Sequence, residues 1–224
     1  MHVLPLQALP FFKNLLSPSC ADANPWLIDD MKFLPVLLTL TAMIASCASH
    51  GQAPQPGQPT YVSEAPLPEG WPTPGPYDQV TRKSLPAYRA AFAKPGGRGS
   101  SFWTLFFHIQ KNKIPMTAPV EMSMEEKEQN LEVASMAFLY QNDKVGTIGT
   151  NGAVEVKDVP KADVLSYTWQ GSDSKENLTK AKTAIDSALK AQKLTVERYR
   201  LLGYNGPSTP REKATLELQA LLKR

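Results

Sequence analysis

Between Lys113 and Met124 the chain reads KIPMTAPVEMSM, and apolar side chains recur at every second position: Ile114, Met116, Ala118, Val120, Met122 and Met124. Pro115, Thr117, Pro119, Glu121 and Ser123 fall between them. Strict two-residue alternation predicts a β-strand with one face in a core or cavity and the other toward solvent or a cover. Pro115 and Pro119 each remove a ladder donor, which places the first half of this strand at a sheet edge or a bulge. Methionines 116, 122 and 124 share the apolar face. Unbranched thioethers fill irregular space, so this face suits either plain core or the wall of an adaptable pocket.

The same periodicities predict elements on both sides. Residues 77–83 (YDQVTRK) and 86–93 (PAYRAAFA) form two short strands split at Ser84-Leu85-Pro86, with Tyr88, Ala90 and Phe92 on one face. Lys94-Pro95-Gly96-Gly97 breaks the chain. Ser100 or Ser101 then caps a helix whose Phe102, Leu105, Phe106 and Ile109 fall on one stripe. Trp103 and Phe107 flank that stripe, so the helix is apolar over more than half its circumference and is expected to meet either a broad core or a ligand. Downstream come a strand at 131–140, a Gly/Asn-rich loop at 142–152, and a hairpin of 154–158 and 163–170 around Pro160. In that hairpin Leu165, Tyr167 and Trp169 share a face. An amphipathic helix at 174–192, a strand at 194–204 and a short helix from about Arg211 complete the chain. Two strands, a helix and two strands, followed by two strands, a helix and a strand, read as an α+β fold with a weak internal duplication.

Three motifs in this order resemble one family. KIPMTAPV is similar to the K-I-x-M-T-x-P-V signature of the SOUL/haem-binding-protein family, SFWTLFFHIQKN to its F-x-x-L-F-x-Y-I segment, and YNGPSTP (204–210) to its Y-N-x-P motif. The resemblance covers about Tyr77 to Leu222 and implies an antiparallel barrel-like sheet with two main helices, similar to effector-binding domains, and haem or another flat tetrapyrrole as ligand. The family usually has Tyr where this chain has His108, so no family ligand carries over to that position.

Composition changes the picture mainly at the N-terminus. Residues 1–30 show no sustained period, and the translated start is expected at Met31. Met31-Lys32 and the apolar run Phe33–Ala45 look like a secretory signal. Ile44-Ala45-Ser46-Cys47 resembles the bacterial lipobox, which implies cleavage before Cys47 and acylation of its sulfur. An ordinary signal peptide cut near 48–50 is the alternative. Residues 1–46 are thus read as upstream segment and signal, 47–76 as a tether, and 77–224 as the ligand-binding domain. Ala48–Pro76 carries eight prolines in 29 residues, a composition that favours extended conformations over a packed core. At roughly 3 Å per residue such a tether reaches up to about 90 Å. Ala48 after the cysteine leans toward the outer membrane, with the domain facing the periplasm of a bacterial envelope. With Cys20 upstream and Cys47 acylated, no thiol remains in the domain for a disulfide, a metal site or a nucleophile. The 24 Lys and Arg against 21 Asp and Glu leave a net charge of +3. They are scattered without an aromatic-interleaved stripe, so nucleic acid is not an expected partner.

Enzymatic motifs are missing: there is no G-x-S-x-G elbow, H-E-x-x-H or G-x-x-x-x-G-K-[ST] loop. A non-enzymatic binding protein is the resulting expectation. Its apolar walls would be Phe102, Trp103, Phe106, Phe107, Met116, Val120 and Met122. Arg198 and Arg200, on one face of the last predicted strand, would pair with propionates or else be solvated. His108 is either a partly exposed histidine without function or an axial ligand of haem iron, since neutral imidazole is a standard iron ligand. A carboxylate such as Glu121 beside a tyrosine such as Tyr204 would permit acid–base work if the two were buried together. The competing readings are a binder or hydrolase of another small apolar molecule in the same cleft, and a structural envelope lipoprotein acting through its surface.

Overall fold

The computed structural model describes residues 59–94, 98–128 and 130–223. The expected signal segment, Cys47 and the first part of the tether lie outside them. The described chain runs through β1 (Val80–Leu85), β2 (Tyr88–Ala93), α1 (Arg98–Lys111), β3 (Val120–Lys127), β4 (Asn130–Leu139) and β5 (Gly149–Asn151). It continues with β6 (Val154–Val159), β7 (Ala162–Gln170), α2 (Lys175–Gln192), β8 (Val196–Gly203) and β9 (Thr215–Leu222). Among the described residues these strands make one nine-stranded sheet in the order β1-β7-β9-β8-β3-β4-β2-β6-β5. Its named strand pairs are antiparallel.

Topology forces this sheet to curl. β1 and β2 stand six strand spacings apart in the order, about 29 Å if the sheet were flat. Only Pro86 and Ala87 join them, a connection that reaches about 11 Å. The sheet therefore rolls until the two strands approach, which gives it an inside and an outside.

Both faces are packed, and the two-residue period sorts side chains between them. Outside, α1 and α2 cover Met122, Met136, Phe138, Leu165, Tyr167, Trp169, Leu201 and Leu218. Inside lie Tyr88, Ala90, Ala137, Leu139, Val164, Leu202, Tyr204 and Leu221. α2 starts where Ser174 Oγ accepts from Asn177 N and ends at Lys193 in the left-handed region (φ 53°). Its buried stripe is Ala181, Ile185 and Leu189. α1 buries Ser101, Leu105 and Ile109 and leaves Trp103 and Phe107 exposed.

Four expectations change. The ladder of β3 starts at Val120, and Ile114–Pro119 runs beside it without joining. There Thr117 Oγ1 donates to Leu139 O and Ala118 N to Pro66 O, while the two prolines have no N–H to give. Glu121, on the face expected to meet solvent or a cover, is wholly buried because that face is the inside of the curled sheet. Residues 215–222 form β9 between β7 and β8, where a helix was expected. Ala, Leu, Glu and Gln favour helix, yet pairing on both edges overrides that preference. Finally, part of the expected tether belongs to the domain: Trp71 is buried, and Tyr61 and Leu67 pack on the inner core.

Candidate functional site

An apolar cleft of about 360 Å³ opens between α1, the segment before β3 and the turn after β8. Phe102, Trp103 and Phe106 come from α1, Met116, Ala118 and Val120 from the approach to β3, and Gly203–Pro207 from the turn. Glu64 and Ala65 form a rim. The volume lies within the ordinary range of small-molecule sites. Helical spacing explains why α1 offers rings here, since 102, 103 and 106 fall on one side of it. Phe102 and Phe106 stack at 6.2 Å, and Phe102 meets Phe138 of the core edge-on at 5.3 Å. All three sequence motifs that carry the family resemblance meet at this one cleft.

A strap closes one side. Glu64 accepts hydrogen bonds from Gly206 N (2.7 Å), Asn205 Nδ2 (3.2 Å) and Thr209 Oγ1. Those bonds, that from Thr209 first, hold its carboxyl below its ordinary pKa. Glu69 N donates to Gln141 O and Tyr61 packs edge-on against Tyr204. Glu64 was missed by the sequence reading, and the 205–207 turn was singled out as a family motif but not as part of the ligand-binding walls. A carboxylate between Ser63 and Ala65 carries no local signal of a partner some 140 positions away.

The floor of the cleft is Tyr204, which is also part of a polar network inside the curled sheet. Its hydroxyl donates to Glu217 Oε2 (3.3 Å) and accepts from Trp71 Nε1 (3.4 Å). Lys83 Nζ lies 2.9 Å from the same Glu217 oxygen, and Gln219 Nε2 donates to the other at 2.7 Å. Gln219 Oε1 accepts from Arg200 Nε at 2.9 Å. Arg200 Nη1 contacts Glu121 Oε2 (2.8 Å) and Tyr88 OH (2.6 Å), and Tyr88 OH donates to Glu121 at 2.7 Å. Burial alone would raise the Glu121 carboxyl. Arg200, with Tyr88 and Arg198, outweighs burial and holds it below its ordinary value. Burial, and next the neighbouring Glu217, push the Tyr204 hydroxyl well above its usual pKa.

The predicted site residues divide accordingly. Phe102, Trp103, Phe106, Met116 and Val120 line the cleft. Phe107 lies beside it, its ring 5.9 Å from Trp103, and points largely to solvent. Met122 is core, with its sulfur 3.2 Å from Arg98 Nη2. Arg200 does not reach the cleft: it is committed to Glu121 inside the sheet. Arg198 is a third exposed and contacts the other Glu121 oxygen at 3.4 Å. Glu121 and Tyr204 are both buried but belong to different hydrogen-bonded pairs, Glu121 with Tyr88 and Tyr204 with Glu217.

His108 departs from the ligand expectation. It faces a separate hollow with Asn112, Tyr140 and Gly146. Its Nε2 is 3.0 Å from Tyr140 OH, and Nδ1 is 3.4 Å from Asn112 Nδ2. Both ring nitrogens are thus engaged, and an iron would have to displace one partner. Burial, and then Lys111, lower its pKa, so the ring is neutral near pH 7.

Comparison with known proteins agrees with this architecture. This chain is similar to a chain in the structure of the EcmrR–DNA complex in EcmrR-RPo, with a TM-score of 0.50 and 14% identity over 65% of this chain and 57% of that one. This chain therefore spans little more than half of that EcmrR chain. The isolated EcmrR C-terminal domain aligns at a TM-score of 0.48 and 16% identity, over 65% of this chain and 98% of its own. A hydrolase from Listeria innocua aligns at 0.47 and 13%, over 66% and 94%. At such identities the likeness concerns fold alone. No curated protein matches the chain. The SOUL heme-binding protein profile matches residues 76–215, a stretch that includes α1, the Met116–Val120 wall and the Tyr204–Pro207 turn. On that match the chain belongs to the SOUL heme-binding protein family.

Proposed function

We propose that this protein binds haem or a similar flat tetrapyrrole in the cleft between α1, Met116–Val120 and Gly203–Pro207, and that acylated Cys47 holds it on the envelope of a bacterium, facing the periplasm. The observation that carries this reading is the convergence of the three family motifs on one apolar cleft. Aromatic rings on one wall and a thioether on the other suit a planar, polarisable ligand. Among the described residues that line the cleft, Met116 has the soft donor an iron accepts, and His108 is not among them. Haem, when bound, supplies a redox-active iron. The chain itself supplies an apolar enclosure, a rim and Tyr204 as a protonated hydroxyl on the floor.

Propionates need a cation, and no Lys or Arg lines the cleft among the described residues. Arg98 is the nearest candidate: it stands one turn before Phe102 and contacts Met122, but its guanidinium is paired with Asp173 and would have to exchange that partner for a propionate. The cation-free lining also favours a second reading, a neutral apolar ligand bound without iron. Neither reading calls for catalysis, since Glu121 is held by Arg200 and the Tyr88 and Tyr204 hydroxyls stay protonated.

The internal duplication belongs to the same proposal. Exchanging β1 with β6, β2 with β7, β3 with β8 and β4 with β9 reverses the sheet order onto itself, leaving only β5 over.

Hemin titration of the full chain tests the reading through Trp103. A saturable Soret band should appear together with quenching that is larger in the wild type than in Trp103→Phe, the difference saturating with the band. A Soret band whose quenching is the same in both proteins would put haem elsewhere. No saturation with hemin, but saturable quenching by an iron-free apolar probe, would select the second reading.

A further inference from the structure

Four large apolar side chains stand exposed among the described residues: Val62, Trp103, Phe107 and Ile148. Three of them surround the mouth of the cleft. Trp103 (55% exposed) and Phe107 (65%) sit one turn apart on α1 with their rings in contact, and each also meets Phe106 of the wall. Val62 (70%) is on the strap, where its carbonyl accepts from Asn205 of the opposite rim at 3.4 Å. Trp103 and Phe107 make one apolar surface with the half-buried Phe102 and Phe106, and Val62 stands on the strap that borders the cleft. Isolated exposed apolar residues are ordinary, but a contiguous group around a cleft marks a surface that something covers.

Two observations say what covers it. First, the remaining N-terminal chain joins the domain here: Glu64 and Ala65 border the same cleft as Trp103. Fourteen residues lead from Cys47 to Tyr61, and fully extended at about 3.6 Å each they reach at most about 50 Å. A chain held at or before Cys47 is thus joined to the domain through the rim of the cleft. Second, residues 98–113 carry Arg98, Lys111 and Lys113 and no acidic residue; Arg98 is paired with Asp173, so the net positive charge of this stretch lies at Lys111 and Lys113. A basic, aromatic helix complements an anionic bilayer surface, where Trp and Phe rings settle at headgroup depth.

We infer that the mouth of the cleft is a membrane-docking face, with α1 lying on the bilayer and Trp103, Phe107 and Val62 entering its interface, so that the cleft opens toward lipid. Its ligand then passes between bilayer and protein without crossing bulk water. The inference shares the cleft with the proposed function but not the identity of the ligand.

The test is tryptophan quenching on vesicles of phosphatidylethanolamine and phosphatidylglycerol with brominated acyl chains, using the full chain. The signal of Trp103 is the difference between wild type and Trp103→Phe, which removes the contributions of Trp26, Trp71 and Trp169. On vesicles this signal should shift to the blue, be quenched by bromine and become shielded from aqueous iodide. Phe107→Ala, at a largely exposed position where the fold tolerates truncation, should reduce the bromine quenching at least about twofold. Trp103 that remains open to iodide and blind to bromine on vesicle-bound protein overturns the inference. So does iodide shielding without vesicles that follows self-association, because a second copy then covers the face. Neither result depends on hemin, so loss of hemin binding with intact quenching would fault the ligand alone.

Discussion

Arg200→Met tests whether the polar network inside the sheet is held by its ion pair. Arg200 and Glu121 are buried almost completely, and the guanidinium contributes the 2.8 Å contact to Glu121 together with bonds to Tyr88 and Gln219. Removing one partner of such a pair strands the other charge, at about 3–5 kcal/mol. Arg198, 3.4 Å away but partly solvated, still faces Glu121, which points to the lower end, about 3 kcal/mol. For a domain of this size that lowers the melting temperature by about 9 °C. The pH dependence carries the sharper signature. In the wild type Glu121 titrates below its ordinary 4.5, so its contribution is present above that value and fades as pH falls through the lower one. Without Arg200, burial prevails and the carboxyl rises above 4.5. Stability is then fullest at low pH and declines as pH rises, so Arg200→Met should gain stability between pH 7 and pH 5, where wild type gains none from this group. Thermal unfolding followed by circular dichroism at both pH values reads this directly. A loss below about 1 kcal/mol at pH 7, or parallel pH profiles, would refute the reasoning.

Three further outcomes follow from other contacts. Gly146 has φ of 69°, and a Cβ there would lie 2.5 Å from Tyr140 Cε2, so Gly146→Ala should cost about 1–3 kcal/mol in chemical denaturation. Because the Glu64 carboxyl has a lowered pKa, the strap should hold above 4.5 and loosen as pH falls below it; faster hydrogen exchange at Gly206 N–H, in acid or in Glu64→Ala, reads that opening after correction for intrinsic rates. His108→Ala should leave the hemin spectrum unchanged while costing about 1 kcal/mol of stability from the lost contact with Tyr140, measurable in the same melt.

Local signals carried much of the fold. Ser174 and the stripe Ala181, Ile185 and Leu189 delimit α2 without any knowledge of its surroundings. The alternation through Val120, Met122 and Met124 puts β3 on the right face. What the alternation lacks is the identity of the other side: Glu121 and Arg200 look like solvent-facing positions until the sheet curls around them. Their partners come from strands 19 to 112 positions away, and no short window of sequence joins them. The segment 215–222 shows the opposite failure. Its residues favour a helix locally, and only the open edges of β7 and β8 decide for a strand. At the cleft the motif residues Phe102, Phe106, Met116 and Val120 were legible because they recur in a known order. The strap was not, because proline content spoke for a free tether while Trp71 and Glu64 anchor it through isolated long-range contacts.

The central claim is that the ligand sits between α1 and the Met116–Val120 wall. Val120→Trp fills that space from the first residue of β3 while keeping an apolar, strand-compatible side chain. Hemin titration of the full chain, wild type beside Val120→Trp, therefore reads the claim most directly. The account predicts a saturable one-to-one Soret band in the wild type and its loss in a variant that still melts cooperatively. A folded Val120→Trp protein that binds hemin as the wild type does would contradict it.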